Sequence, residues 1–295
     1  MIMNMSAGAN IQPVVGKLLS TLNVGDTLEV PVVSDWQSRF GANIVWKVAD
    51  KNHAGYPTDS VTLITDRIIQ LMASDAREPN NSDSDREIGG NNRHIYSNIL
   101  QWLNSNATAG NWYSPKHGED APPTNANVWD NYNEYDAWAG FLAMLDPKFV
   151  AELLDTTLTV GKSPADGGGY ETFTVKMFLA SNTEVGHTNE NGIAEGALLA
   201  LFSDNASRIA YPTAECVSNS EYSSNDLTTT KGWYWWVRTP NSVFAAFVNY
   251  VFSDGTEQGN SAYRGSAGVR PLCNLPGSLR VSESPNAAGN YTIMN

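Results

Sequence analysis

Three tryptophans within four positions, Trp233, Trp235 and Trp236, open the stretch WYWWVRTPNSVFAAFVNYVFSDGTEQGNSAYRGSAGVRPLCNL, which runs from Trp233 to Leu275. A strand this bulky carries large rings on both faces, so it needs a core on one side and covering loops on the other. Strand formers dominate Trp233–Val237, and Thr239-Pro240 stops the ladder because proline has no N–H to donate. The ten residues Val243–Phe252 then contain a single polar side chain, Asn249. Alone they read as a fully buried strand. The turn Ser253-Asp254-Gly255 and the polar stretch Gly259–Ser266 behind it would pair badly with such a strand. The mismatch predicts that several aromatics of 243–252 face solvent and form a contact patch. Tyr and Asn beside Ser and Gly are also what adaptable binding loops use.

The rest of the chain can enclose such a strand. Of 295 residues 41% are hydrophobic, and 9 Trp, 12 Tyr and 9 Phe supply bulk for a sizeable core. Residues 1–23 read as a leader or assembly arm with an apolar patch at Val14, Val15, Leu18 and Leu19, and 24–295 as one domain. Thr27–Val33, broken by Pro31, suits an edge strand. Asn43–Ala49 and Asp59–Thr65 are strands, with Asp66–Ala73 continuing as a short helix. Residues 75–93 read as a solvated loop. His94–Asn104 carries Ile95, Ile99, Trp102 and Leu103 on one helical stripe. After a loop at 105–128, Tyr135–Met144 and Pro147–Leu154 are short helices, Pro147 suiting a first turn. Glu171–Leu179 alternates as a half-exposed strand, 190–202 is helical, 203–230 is loop, and the C-terminal third is strand-rich. The sum is an α+β domain.

Several function classes are disfavoured. The net charge of −13, with no cluster of even four basic residues, repels phosphate backbones and argues against nucleic-acid binding. No run approaches the roughly 20 apolar residues that span a bilayer, and the N-terminus lacks the basic and apolar regions of a signal peptide. Cys216 and Cys273 are too few for a disulfide scaffold or structural zinc; they form one disulfide or stand as buried thiols. His53, His94, His117 and His187 share no metal-ligand spacing. Asp83, Asp85 and Glu87 depart from the spacing of a calcium loop. Asp130, Glu134 and Asp136 sit among Trp129, Tyr132, Tyr135 and Trp138, a mixture seen in sugar-cleaving grooves, but they read better as the solvated side of an aromatic helix. No nucleophile elbow, P-loop, zincin or C-x-x-C motif is present. A non-enzyme with no cofactor and no metal is the expectation.

The runs W-W-V-R-T-P-N-S at 235–242, S-D-G-T at 253–256 and G-V-R-P-L-C-N-L at 268–275 closely resemble the C-terminal module of variable proteins of diversity-generating retroelements, and more broadly a C-type-lectin-like domain of phage and gut-microbe proteins. I-V-W-K-V at 44–48, S-N-I-L-Q-W-L-N at 97–104 and V-K-M-F-L-A-S at 175–181 fit the same pattern, so the resemblance spans roughly residues 24–280. It implies an α+β, C-type-lectin-like fold with helical and loop insertions. In that family the retroelement rewrites adenine-templated codons, which cannot yield Met, Trp, Lys, Glu or Gln. None of these five occurs from Asn241 to Thr256. At about a fifth of average composition, their absence from sixteen residues has a chance of only a few per cent.

The resemblance implies a variable region at about 241–267. Its exchangeable, ligand-contacting positions would be Val243, Phe244, Ala246, Phe247, Asn249, Tyr250, Phe252, Gly259, Asn260, Ser261, Tyr263, Arg264 and Ser266. Ala245, Val248, Val251 and Ala262 would be fixed spacers, with Glu257 and Gln258 fixed or only partly variable. Phe244, Phe247, Tyr250, Phe252 and Tyr263 would supply contact area, Asn249 and Arg264 polar contacts. The implied partner is a protein or glycan on a host or neighbouring cell, met from a virion or cell surface, by a protein able to oligomerise and not inserted in a membrane. Two rivals stand beside this: a sulfatase-modifying-factor-like enzyme of the same fold, which needs paired reactive cysteines, and a structural virion protein whose aromatic strand packs on another subunit.

Overall fold

Alternating apolar residues build the strands of the larger sheet. The computed structural model describes residues 16–294, and Val14 and Val15 lie outside them. Strands β1 (Lys17–Leu18), β2 (Thr27–Pro31), β3 (Asn43–Lys51), β4 (Ser60–Thr65) and β5 (Gln70–Leu71) come first. The middle adds β6 (Thr156–Gly161), β7 (Tyr170–Val175) and β8 (Met177–Phe178). The last third adds β9 (Trp235–Pro240), β10 (Phe247–Val251), β11 (Glu257–Ser261), β12 (Gly268–Val269), β13 (Leu272–Pro276), β14 (Arg280–Val281) and β15 (Asn290–Thr292).

One sheet has the order β15-β2-β3-β4-β13-β8 and a second the order β11-β10-β9-β12-β5. Parallel pairing of β15 with β2, and antiparallel pairing of β1 with β14, bring the two ends of the described chain together. The chain crosses between the sheets twice at one place, from β4 to β5 and from β12 to β13. Buried Arg270 ties the crossings by donating from Nη2 to Thr65 O at 2.9 Å, while Thr65 N–H donates to Pro271 O at 3.1 Å. Two apolar clusters fill the interior: Trp46, Trp102, Phe141 and Trp236 belong to one, Phe178, Phe202, Trp235 and Val237 to the other. Successive tryptophans of β9 thus serve opposite faces, and every residue of β9 is buried. The mixed α+β class is as the sequence reads.

Several local expectations change. Pro31 does not mark an edge strand: β2 has neighbours on both sides, but β15 pairs only with Thr27–Glu29, so no ladder bond is asked of Pro31. Asp66–Ala73 is extended rather than helical. Ile68 and Leu71 enter one cluster and Ile69 and Met72 the other, which suits a chain threaded between two cores. Within 75–93 a helix forms at Ser84–Gly89, capped by Asp83, whose carboxylate accepts from Asp85 N–H and Arg86 N–H. His94–Asn104 divides into a 3-10 turn at His94–Tyr96 and a helix at Asn98–Leu103, with Ser97 as cap. Of Tyr135–Met144 only Phe141–Met144 is helical, whereas Pro147–Glu152 begins at Pro147 as expected. Glu171–Leu179 splits between β7, in a hairpin with β6, and β8, in the large sheet. Residues 190–202 form turns, since Gly192 and Gly196 take φ of 73° and 137°. Short helices at Asn205–Arg208 and Ala214–Asn219 interrupt the expected 203–230 loop. At the other end Leu19 and Leu22 are buried in the core, so residues 16–23 pack with the domain.

Candidate ligand-binding surface

The frame begins with β9. Trp236 Nε1 donates to Met72 O at 2.9 Å, Trp235 Nε1 to Arg208 O at 3.1 Å and Trp233 Nε1 to Ser266 O at 2.9 Å. Arg238, fully buried, grips Glu184 with both terminal nitrogens at 2.7 and 2.8 Å and donates to Leu179 O at 2.8 Å. A buried pair of this kind makes the loss of either partner costly. Thr239 donates to Glu195, whose other oxygen accepts from Gly161 N–H. The sheet that carries the candidate segment is therefore anchored to the middle of the chain.

Beyond Pro240 the backbone turns out of the sheet, and groups other than the displayed side chains hold that turn. Asn241 Oδ1 accepts from Val243 N–H at 3.0 Å and Phe244 N–H at 3.1 Å, closing an Asx turn. Glu190 accepts from Asn241 Nδ2 at 2.7 Å and Ser242 N–H at 2.8 Å. Buried Asn92 reaches in from the side. Its Nδ2 donates to Asn241 O at 3.2 Å and Phe244 O at 2.9 Å, and its N–H donates to Ala245 O at 3.1 Å. Gly89 lets the Ser84–Gly89 helix come close: a Cβ there would sit 2.8 Å from Ala246 Cβ and 3.3 Å from Ser261 Oγ. On this support Val243 is 73% and Phe244 48% exposed.

The thirteen expected contact residues divide. Val243 and Phe244 are exposed; Phe247, Phe252, Gly259, Asn260, Ser261, Tyr263 and Arg264 are half-buried; Ala246, Asn249, Tyr250 and Ser266 are buried. Phe244 and Phe247 lie with ring centroids 4.8 Å apart. With Ser261, Tyr263 and Ile88 they line a shallow cavity of about 240 Å³. Phe252 and Arg264 belong elsewhere: Phe252 stacks at 6.4 Å on Tyr234, and the Arg264 guanidinium lies 4.0 Å from the Trp129 ring centre.

Asn249 and Tyr250, expected to face a ligand, face inward instead. Asn249 Nδ2 donates to Glu257 at 3.0 Å, and Tyr250 packs edge-on against Trp236 with its hydroxyl donating to Gln258 at 3.1 Å. Ser266 is also enclosed, accepting Trp233 Nε1 at its carbonyl and hydrogen-bonding Tyr234 through its hydroxyl at 2.8 Å. The reason is geometric. Adjacent residues of a strand point to opposite faces, and both faces of β10 are covered: Val248 and Tyr250 pack into one apolar cluster, while Val251 enters the other and Asn249 is held by Glu257. β10 also lies between β9 and β11, so neither of its edges is free.

Electrostatics at the rim is acidic. Burial, with Glu190 adding to it, pushes the Glu257 carboxyl up to about 7 against the hydrogen bond from Asn182. Asp85 and Glu87 are exposed on the Ser84–Gly89 helix, and its one cation, Arg86, is paired with Asp166 at 2.7 Å. The sequence reading missed this helix, with Ile88, Gly89 and Asn92. The signal was Asp83 as a helix cap before an acidic first turn, followed by two glycines.

Other chemical candidates resolve into structure. Cys216 and Cys273 are free and buried in different clusters, and burial raises both thiols. Burial pushes His94 down to about 3 and His187 to about 4, with Arg238 and Arg208 contributing. His53 pairs with Asp50 and His117 with Glu78. Glu134 accepts from Asn125 N–H, and exposed Asp130 lies in a turn at φ 49°. Among the described residues no group of three or more His, Cys, Asp or Glu is placed to hold a metal.

Fold and site together define an α+β domain built on two main sheets, with an apolar cavity, lined in part by Asp85, at the five-stranded one. The chain belongs to the family described as a domain of unknown function (DUF6273), whose model it matches over residues 59–277. No curated protein and no solved structure matches it.

Proposed function

We propose that this chain is a non-enzymatic ligand-binding protein that displays an exchangeable surface on a C-type-lectin-like scaffold, diversified by a retroelement and presented on a virion or cell surface to a protein or glycan of another cell. The observation that carries the reading is the 241–246 turn. Asn241, Glu190 and Asn92 hold its backbone, and none of these bonds involves the side chains of Val243 or Phe244. A site whose backbone is fixed from outside tolerates exchange of what it presents. The lectin-like assignment is supported by the meeting of the chain ends in one sheet, with the candidate surface on a second. Burial of both thiols favours this reading over an enzyme that needs reactive cysteines.

The surface is narrower than the thirteen positions first implied. It centres on Val243, Phe244, Phe247, Ser261 and Tyr263, while Asn249, Tyr250 and Ser266 are frame residues in this chain. Sequencing the DNA beside the gene tests the reading. The expected result is a near-copy of the codons for 241–267 that differs at adenines, next to a reverse-transcriptase gene. A locus without such a copy removes the retroelement and reduces the chain to a fixed binding module.

A further inference from the structure

We infer that the surface has a constant half, the Ser84–Gly89 helix, and that this half selects for an aliphatic or aromatic side chain next to a cationic one on a protein partner. The inference rests on the reading of the 243–263 face as the ligand surface. Ile88 is 65% exposed, more than Phe244 and close to Val243. It lines the same cavity as Phe244, Phe247 and Tyr263. A large aliphatic residue on a helix held to the sheet by Gly89 adds apolar area that no change at 241–267 removes.

The cavity, at about 240 Å³, has the size of one large side chain rather than of a small-molecule pocket, which begins at about 300 Å³. Its polar contribution from the helix is Asp85, exposed on the rim, with Glu87 exposed nearby. The helix offers no free positive charge in return. Arg86 is ion-paired to Asp166, also donates to Ala245 O, and has a side chain only 11% exposed. Across the turn Glu190 adds a further exposed carboxylate. In a chain of net charge −13, an apolar cavity that carries exposed Asp85 on its lining, with exposed Glu87 on the same helix, favours a partner that brings Lys or Arg beside the anchoring side chain, and disfavours an acidic one.

Panning a random displayed-peptide library against the immobilised full chain tests this, followed by calorimetric titration of the selected peptides. The expected consensus places Leu, Ile, Phe or Trp next to Lys or Arg. Ile88→Glu should weaken those peptides by about tenfold or more, since it removes the burial of one large aliphatic side chain and places a carboxylate that must be desolvated against the peptide's apolar side chain. Asp85→Lys should weaken them as well and reduce or reverse the fall in affinity with added salt. Leu198→Ser, which alters an exposed apolar residue outside the cavity, should leave affinity unchanged. Melting curves accompany each variant, and Ile88→Ser repeats the test without a new charge. Selection of no peptides, of peptides lacking the apolar–cationic pair, or of peptides whose affinity survives both Ile88 variants would overturn the inference. The flanking-DNA result is independent: a template copy beside an Ile88-insensitive ligand would defeat the constant half and leave the display reading standing.

Discussion

Replacing Asn92 with Ala should cost more stability than stripping the two side chains that the turn displays. Asn92 is buried and donates through Nδ2 to Asn241 O and Phe244 O. Each such bond contributes about 0.5–1.5 kcal/mol net, and a partner left unsatisfied adds to the loss, so Asn92→Ala should cost roughly 2–3 kcal/mol. Val243 is 73% exposed, and Val243→Ser should stay within about 0.5 kcal/mol of the parent. Phe244 is 48% exposed and rests on Phe247, so Phe244→Ser should lose roughly 1 kcal/mol of burial. In a chain of this size 1 kcal/mol moves Tm by about 2–4 °C, which separates a fall of roughly 5–10 °C for Asn92→Ala from about 2–4 °C for Phe244→Ser. Calorimetry and urea titration should agree, with the urea slope unchanged. If the Val243→Ser, Phe244→Ser double variant fell as far as Asn92→Ala, the side chains would be holding the turn, and the display argument would be wrong.

Tyr250→Ala should lose about 3–5 kcal/mol, because it empties a buried site against Trp236 and Tyr234, and thermal melting reads this directly. Glu257 titrates higher in the folded chain than its ordinary value of 4.5, at about 7, so the folded state holds the extra proton. Its contribution is therefore complete below about 4.5 and declines as pH rises to about 7 and above. Glu257→Gln should raise Tm relative to the parent at pH 8, with the difference shrinking towards pH 5; a gain that grows on acidification would show the opposite sign. Both thiols should resist an aromatic disulfide reagent in the native protein and react only in denaturant, as counted by released chromophore.

Local order in the sequence was most legible where residues answer to their immediate neighbours. Alternation marked β3, Pro147 marked the start of its helix, and the tryptophan-rich run marked β9. Legibility failed where two distant surfaces share one segment. Asp66–Ala73 has the composition of a short helix, yet it is drawn out because the apolar clusters on its two sides divide it between them, Ile68 and Leu71 entering one and Ile69 and Met72 the other. The Ser84–Gly89 helix was hidden in a polar loop because four of its six residues are charged or serine and only Gly89 is buried.

The sequence by itself determined the α+β class, the apolar content of the interior, and the compositional break between Trp236 and Gly268 that singles out the candidate surface. Tertiary structure decided which residues of that segment can be met. Strand alternation sends Asn249 and Tyr250 to opposite faces of β10, but packing covers both faces, Tyr250 against Trp236 and Asn249 against Glu257, and leaves the turn before the strand exposed. Gly89 and Asn92 lie some 150 residues before the turn they pack against. A contact set by close packing across that separation leaves no periodicity in the chain, because neither partner is the other's neighbour until the sheets have formed.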